Sequence, residues 1–358
     1  MLDQFKVPEE IAVRVAPDDV RVTTEDIFGA LGFSEGDARR GADVLVYADI
    51  RGIDTHGVSN MLRRYIEWAQ SGEINPNPQP KVLREAAGVA TIDGDRGLGV
   101  SVGPPAMEMA MEKAANCGVG TVVMTNGHHF GAAAYFAAMA LERDMIGVSM
   151  TVGGIMVTPT HGAKPLLGLN PIGVAAPAAT EAPYIFDASM SSVAGNKIVL
   201  LRRMGADVLP GWIAGEDGAP IMEGQPVPDK FMMLPPGATR DIGSHKGYGL
   251  ALMVDVLSGV LAGSGPGYLH RGGIAHHFTA YNVEAFVDTD LFKSDMDTYL
   301  RDLRTAPTAP GEERVVYPGL LEAEEEADRC ERGIPYHPEV VEWFGTATSE
   351  LGVTNRVG

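Results

Sequence analysis

VATIDGDRGLGV, residues 89–100, is the stretch on which the fold class turns. Val89–Asp93 alternates as a strand does, and Gly94, Gly97 and Gly99 follow where a nucleotide-binding turn would begin. Their spacing lacks the complete GxGxxG pattern and the downstream order that a dinucleotide fingerprint requires. A conventional Rossmann site is therefore disfavoured, and the absence of GxxxxGK[ST] equally disfavours a P-loop phosphotransferase.

Beyond this stretch the pattern predicts an Ala/Met-rich helix within Pro104–Asn116, a strand over Val119–Thr125 and a helix over Ala132–Glu142. Further strands are expected at Met145–Thr151, Ile172–Ala175 and Tyr184–Asp187. This alternation is that of a mixed α/β or α+β core. Before it, INPNPQP (residues 74–80) stops a mainly helical region, because its three prolines lack backbone donors and restrict their predecessors. Within that region Ser34 reads as the N-cap of a helix carrying Ala38, Ala42, Leu45, Val46 and Tyr47, and a second helix follows Ser59. RGIDTHG, residues 51–57, lies between the two.

Towards the C-terminus, Tyr248–Leu261 reads as a buried helix, and Phe278–Tyr281 and Val315–Tyr317 as extended. Glu322–Glu326 begins a polar helix and Pro338–Phe344 the terminal one. The expected organisation is a discontinuous helical domain, 1–80 plus about 290–358, and a mixed-sheet nucleotide-binding domain, 81–289.

The chain has 358 residues, 45% of them hydrophobic, enough for a large core. Its 28 Lys plus Arg against 47 Asp plus Glu give a net charge of −19, which opposes attraction to nucleic acid or an anionic membrane. A few cationic groups can still make one cleft positive for a small anionic substrate. Met145–Thr180 is weakly charged but carries four prolines, His161 and Lys164, so it is not read as a membrane span. Cys117 and Cys330 are too few for a disulfide scaffold or a thiolate metal site and read as reduced thiols. The acidic start MLDQFKVPEE lacks an export pattern, so a cytoplasmic location is expected.

Four polar constellations can carry chemistry. In Asp54-Thr55-His56-Gly57 a histidine suited to proton exchange has neighbours able to orient it; alternatively Asp54 and Thr55 cap the next helix. In Asn126-Gly127-His128-His129-Phe130-Gly131 a strand end leads into a helix start, a favoured place for ligand-facing groups. The pair reads as catalytic or as structural; no HExxH or other ligand set supports a metal. Asp187, Ser189, Ser191, Ser192 and Lys197 can hold phosphate and ribose oxygens, or else form a serine-rich cap beside a solvated lysine. Ser244, His245, Lys246 and Gly247 open a further helix where an anion can meet its dipole, or where glycine merely permits packing. His161, His270, the His276–His277 pair and His337 read as surface or structural histidines, and the Ala/Met stripe 106–115 as core.

Taken in order, DIRGIDTHGVSN, SGEINPNP, DGDRGLG, NGHHFGAAAYF, GAKPLLGLNPIGVAAP, PGWIAGEDGAPI, GSHKGYGLAL, RVVYPG and RGIPYHPEVV resemble the type-2 malate/L-lactate dehydrogenase family. That family also contains ureidoglycolate, sulfolactate, diketogulonate and cyclic-imine oxidoreductases. The resemblance implies a non-Rossmann fold, a homodimer, and hydride transfer between NAD or NADP and a 2-hydroxy or 2-keto acid. It matches His56 to the family's [ST]HG histidine and His129 to its HFG histidine, both with acid/base roles. It matches parts of residues 187–192, Lys197 and Ser244–Gly247 to nucleotide-facing segments.

Three departures stand out. A substrate-binding arginine of some members is Asn60 here, so Arg51, Arg63 or Arg64 must hold the substrate carboxylate. Some members have tyrosine where this chain has Arg64. DASMSS and PGL stand where DMATS and PGE are frequent. No catalytic metal is required. The competing expectations are reduction of a cyclic imino acid and nucleotide sensing without turnover.

Overall fold

A computed structural model of the chain describes residues 6–269 and 271–358, the side chains of residues 203 and 204 excepted. A short strand β1 (Val13–Val15) leads into the helices α1 (Pro17–Ala30), α2 (Glu35–Ile50) and α3 (Val58–Ser71). The Ser34 hydroxyl accepts the Asp37 N–H at 3.2 Å, so α2 has the cap expected of it. Helix α3, expected to follow Ser59, already begins at Val58, because its first N–H is capped from a distance by the Asp49 carboxylate at 2.9 Å.

The sheet follows: β2 (Lys81–Ala86), β3 (Val89–Asp93), helix α4 (Gly99–Cys117), β4 (Val119–Gly127), helix α5 (Ala133–Met139), β5 (Met145–Thr151), β6 (Ile155–Val157), β7 (Leu167–Gly168), β8 (Ile172–Ala176) and β9 (Tyr184–Ala188). Helix α6 (Gly195–Met204) leads to four two-residue strands, β10 (Asp207–Val208), β11 (Ile213–Ala214), β12 (Gln225–Pro226) and β13 (Met232–Met233). Helix α7 (Ser244–Val254), strand β14 (Ile274–Asn282), helix α8 (Thr289–Arg304), helix α9 (Leu320–Arg332), strand β15 (Ile334–Tyr336) and helix α10 (Pro338–Leu351) complete the chain.

The main sheet has seven strands in the order β2-β3-β4-β14-β5-β8-β9. Only β3 and β4 run parallel; every other adjacent pair is antiparallel. A Rossmann sheet is parallel, so topology agrees with the missing glycine fingerprint. The glycines after β3 serve packing instead: Arg96 N–H donates to the Asn126 carbonyl at 2.7 Å, and a Cβ on Gly99 would sit 2.4 Å from Phe130 Cβ.

Helices α4 and α5 cover one sheet face and α2 lies on α4, so the sheet is buried beneath two helical layers. The Ala/Met stripe is core as expected: Ala106, Met107, Ala110, Met111 and Ala114 are buried with Val122, Met124, Phe136 and Phe278. The close fit of α4 rests on Gly120, where a Cβ would stand 2.0 Å from the Ala110 carbonyl oxygen. The C-terminus returns to the start of the chain, where β15 pairs with β1.

Two sequence expectations fail. Val315–Tyr317 is not a strand: Tyr317 is buried with its hydroxyl on the Ala182 carbonyl at 3.0 Å, but no neighbouring strand pairs with it. The expected buried helix Tyr248–Leu261 ends as α-helix at Val254 and continues as a π-helical turn, Asp255–Val260. Only one face of it is enclosed: Ala251 and Val254 are buried, whereas Leu250 is 44%, Val256 54% and Leu261 55% exposed. Apolar composition shows that a surface wants cover without saying that the same chain supplies it.

Replacing Gly120 by alanine forces α4 away from β4. Gly120→Ala is expected to cost about 2–3 kcal/mol in denaturant unfolding, as overpacking of a close-packed core does. Stability within about 0.5 kcal/mol of the parent, the range of an ordinary surface change, would refute this packing account.

Candidate active site

Strand β4 delivers one half of the site and the helical layer the other. His129 follows the end of β4, and His56 closes a 3-10 turn, Asp54–His56, between α2 and α3. Their rings lie parallel, 5.8 Å between centroids and 5° between planes. The two residues that the sequence analysis put first are thus brought together.

Two aromatic side chains, Tyr65 and Trp68, lie beside His129 in this pair. The Tyr65 hydroxyl lies 2.7 Å from His129 Nδ1. Trp68, one turn on, packs against Tyr65 at 5.6 Å and meets His128 edge-on at 4.5 Å. His128 itself turns to Glu73, with Nε2 3.3 Å from Oε1, so the two adjacent histidines have different surroundings.

The hydrogen bonds determine the tautomer of His129. The Gly131 N–H donates to His129 Nδ1 at 3.3 Å. A backbone N–H can only donate, so Nδ1 is the acceptor nitrogen, and the neutral ring carries its proton on Nε2. Burial holds the Tyr65 phenol well above its usual range, so it too stays protonated and donates. For His56, Nδ1 lies 3.0 Å from Thr55 Oγ1, which leaves Nε2 as its other edge.

Both rings are neutral at physiological pH. Burial lowers His56 to about 4. Burial first, then the neighbouring His56, His128, His276 and Arg64, lowers His129 well below the ordinary histidine value. His276 is a structural ring: it stacks on Phe130 at 5.0 Å, its Nδ1 lies 2.8 Å from Thr151 Oγ1, and burial lowers it to about 3. His277, also inside the sheet, bonds the Leu257 carbonyl at 3.0 Å. His270 lies outside the described residues.

Of the three arginines considered for a substrate carboxylate, two are engaged with other side chains. Arg51 is buried, ion-paired through Nη1 to Glu326 and stacked over Tyr47 at 5.4 Å. Arg63 lies over the Trp343 ring at 5.1 Å. Arg64, four residues before Trp68 and so on its face of α3, is exposed, and its charge acts on His129. Asn60, one turn earlier, donates to the Asp54 carbonyl at 2.6 Å.

The serine segments are joined to each other and to this pair. Ser192 donates through Oγ to the Pro235 carbonyl at 2.8 Å, and Gly247 lies so close to Pro236 that a Cβ would stand 2.4 Å from its oxygen. Ser244 Oγ meets Thr160 Oγ1 at 3.0 Å, and Ser189 Oγ meets Ser191 Oγ at 3.0 Å. Asn196 then donates to the Thr55 carbonyl at 2.9 Å, tying α6 to the residue before His56. Lys197, next in α6, is half-buried, and desolvation lowers its pKa. His245 lies 2.8 Å from Arg240 through Nδ1, and Lys246 is exposed. Asp187 serves structure: its carboxylate, raised by burial to about 6, accepts the Ala134 N–H at 2.7 Å at the start of α5. An open cavity of about 860 Å³ between Gly215 and Lys230 includes none of these residues.

Hydroxyls, Lys197, Lys246 and the first turn of α7, whose cap residue Gly243 offers no side-chain acceptor, suit a polyphosphate with ribose hydroxyls. The residues present fit a nicotinamide dinucleotide.

Comparison with known proteins agrees. The family described as malate/L-lactate dehydrogenase matches residues 15–344. A malate dehydrogenase of Pyrococcus abyssi is 36% identical over 353 residues, covering 96% of this chain and 97% of that one. An L-sulfolactate dehydrogenase of Methanocaldococcus jannaschii is 34% identical over 314 residues, covering 86% and 88%. The solved malate dehydrogenase of Pyrococcus horikoshii superposes with a TM-score of 0.89 at 33% identity over 98% of each chain.

Because His56 titrates lower when folded than its unfolded value of about 6.5, the folded protein binds fewer protons there than the unfolded chain. This contribution to stability is present above pH 6.5 and is lost as pH falls towards 4. Urea unfolding of His56→Asn should therefore lose on the order of 1–2 kcal/mol less than the parent between pH 7 and 4.5. Parallel pH profiles would show that the ring is not held neutral.

Proposed function

The chain belongs to the malate/L-lactate dehydrogenase family and is an NAD(P)-dependent oxidoreductase of small 2-hydroxy and 2-keto acids; from that premise we infer that His56 and His129 divide the proton chemistry between them. The observation carrying this inference is the donor–acceptor pattern around the two parallel rings.

His129 has its Nδ1 occupied by two donors, so its Nε2–H is the edge left for a substrate oxygen. It acts as a neutral hydrogen-bond donor, holding the hydroxyl oxygen of the acid and steadying charge on it as the proton leaves. His56, neutral and with Nε2 unprotonated when Nδ1–H faces Thr55, accepts that proton. Arg64 receives the substrate carboxylate, for which a guanidinium offers paired donors. When bound, the nicotinamide supplies a hydride acceptor or donor at its C4. Ser189, Ser191, Ser192, Lys197, Ser244, Lys246 and the α7 start are assigned to its phosphates and ribose. Asp187 supports this segment by capping α5. His56 in its neutral form is ready for oxidation; in reduction it must first acquire a proton.

We also infer a homodimer. The exposed apolar surface of Leu250, Leu252, Met253, Val256, Val260 and Leu261 lies directly after the Ser244–Gly247 segment. A second copy covering it would close off solvent beside the nucleotide. Val256→Glu with Leu261→Glu is expected to shift the parent dimer to monomer in analytical ultracentrifugation; a monomeric parent would contradict the inference.

Assays with malate, lactate, sulfolactate and ureidoglycolate, with NAD and with NADP, should reveal nicotinamide reduction, and the matching keto acids its reversal. His56→Ala is expected to lower oxidative kcat about 10²–10⁴-fold, the range for loss of a positioned base. Arg64→Gln is expected to raise KM for the acid about tenfold or more and leave that for nicotinamide within about twofold, while Arg63→Gln changes neither. Oxidative kcat/KM should hold its value through pH 6 and fall only towards pH 4, since it follows the free enzyme. Turnover of cyclic imino acids alone, or nicotinamide binding with no turnover, would defeat the hydroxy-acid reading.

A further inference from the structure

The turn that carries His56 is fastened from the far end of the chain. Asp54 Oδ1 accepts from Arg329 Nη1 at 2.6 Å, although the two residues are 275 positions apart. The same nitrogen donates to the Asp49 carbonyl at 2.5 Å, and Arg329 Nε to Glu325 at 3.1 Å. Arg329 is only 4% exposed, so three acceptors around it replace its water.

Asp49 fastens the other side of the turn. It is fully buried, and its Oδ2 accepts the Val58 N–H at 2.9 Å and the Tyr336 hydroxyl at 2.6 Å. The Val58 N–H is the first free donor of α3, so this carboxylate sets where that helix starts. Residue 57 between them must be glycine, since a Cβ there would stand 1.7 Å from Asp49 Oδ1. Burial first, then the nearby Asp54 charge, raises Asp49 to about 7, while the Tyr336 hydroxyl, the Val58 N–H and Arg329 hold it down.

We propose that Asp49, Arg329 and Tyr336 are positioning residues for His56, so that the C-terminal α9–β15 segment sets the placement of the proton-accepting ring. Nothing in this trio bonds His56 itself; each acts through Asp54, Gly57 or Val58, the residues on either side of it. An error of about 1 Å in such a ring is enough to cost about 10²-fold in rate. The proposal rests on the reading of His56 as the proton acceptor.

The test uses the full-length enzyme with Tyr336→Phe, which removes one hydroxyl, and Arg329→Lys and Arg329→Met, which keep and remove the charge. Each variant is measured for kcat, for KM of nicotinamide and acid, and for the ring nitrogen shifts of His56 and His129 by histidine-selective NMR. Tyr336→Phe is expected to lower kcat about tenfold or more, keep nicotinamide KM within about twofold, and move the His56 shifts more than those of His129. Arg329→Lys should recover part of what Arg329→Met loses. In a His56→Asn background, Tyr336→Phe should cause no further loss of kcat, because residues acting through one group are not additive.

His56 shifts that stay at parent values in both Tyr336→Phe and Arg329→Lys overturn the proposal, as does an equal loss of kcat with and without His56. If His56→Asn alone keeps full turnover, the proton-acceptor reading fails, and the ring shifts still decide whether the trio positions that turn. Should Arg329→Met not fold, Tyr336→Phe and Arg329→Lys carry the comparison.

Discussion

Two imidazole rings held parallel at 5.8 Å inside protein cannot both carry charge, and burial makes even one charge costly. That constraint explains the surroundings of the site. Donors are aimed at Nδ1 of His129, a hydroxyl faces Nδ1 of His56, and the Arg64 guanidinium stands exposed on the same helix as Tyr65 and Trp68. Neutral rings with fixed tautomers can hold an oxygen and take its proton without reorganising, which is what oxidation of a hydroxyl group demands.

The fold's main task is to bring these rings together. A mainly antiparallel sheet ends β4 at Gly127, so that His129 stands at its rim, while α2 lies on α4 and, with α3 packed on α2, brings His56 to the same place. Close packing of α4 at Gly120 and of the 54–58 turn around Asp49 sets the depth of each half. The serine segment proposed to face the nucleotide is linked in turn through Asn196, whose amide reaches the residue before His56. His129, His56 and the serine segment thus share one connected frame.

Much of this was legible in the residues. The incomplete glycine fingerprint anticipated a sheet that is not Rossmann-like, and the THG and HHFG segments held the two histidines that meet. Arg51, Arg63 and Arg64 were equivalent in sequence because charge alone does not say which way a helix turns. One step of helical phase sends Arg63 to Trp343 and Arg64 to the pair, and Glu326, far along the chain, claims Arg51. Tyr65 sits at a buried position of its helix, as its ring would suggest, but the partner of its hydroxyl comes from the residues after β4. Asp49 looked like any acidic residue on a helix. Its signal was local only in part: an acid at the C-terminal end of α2, where the dipole disfavours it, closely followed by a glycine. Arg329 and Tyr336 had no local signal for this role, because Asp54 and Asp49, through which they reach the turn, lie more than 270 positions away.

The division of proton chemistry between the two rings depends most directly on where a substrate oxygen comes to rest. A crystal structure of the enzyme with oxidised nicotinamide and a slow hydroxy acid should place that oxygen within about 3 Å of both His129 Nε2 and His56 Nε2, with the acid's carboxylate on Arg64. A complex in which both rings lie far from the reacting oxygen and from nicotinamide C4, counting groups from a second subunit, would contradict it.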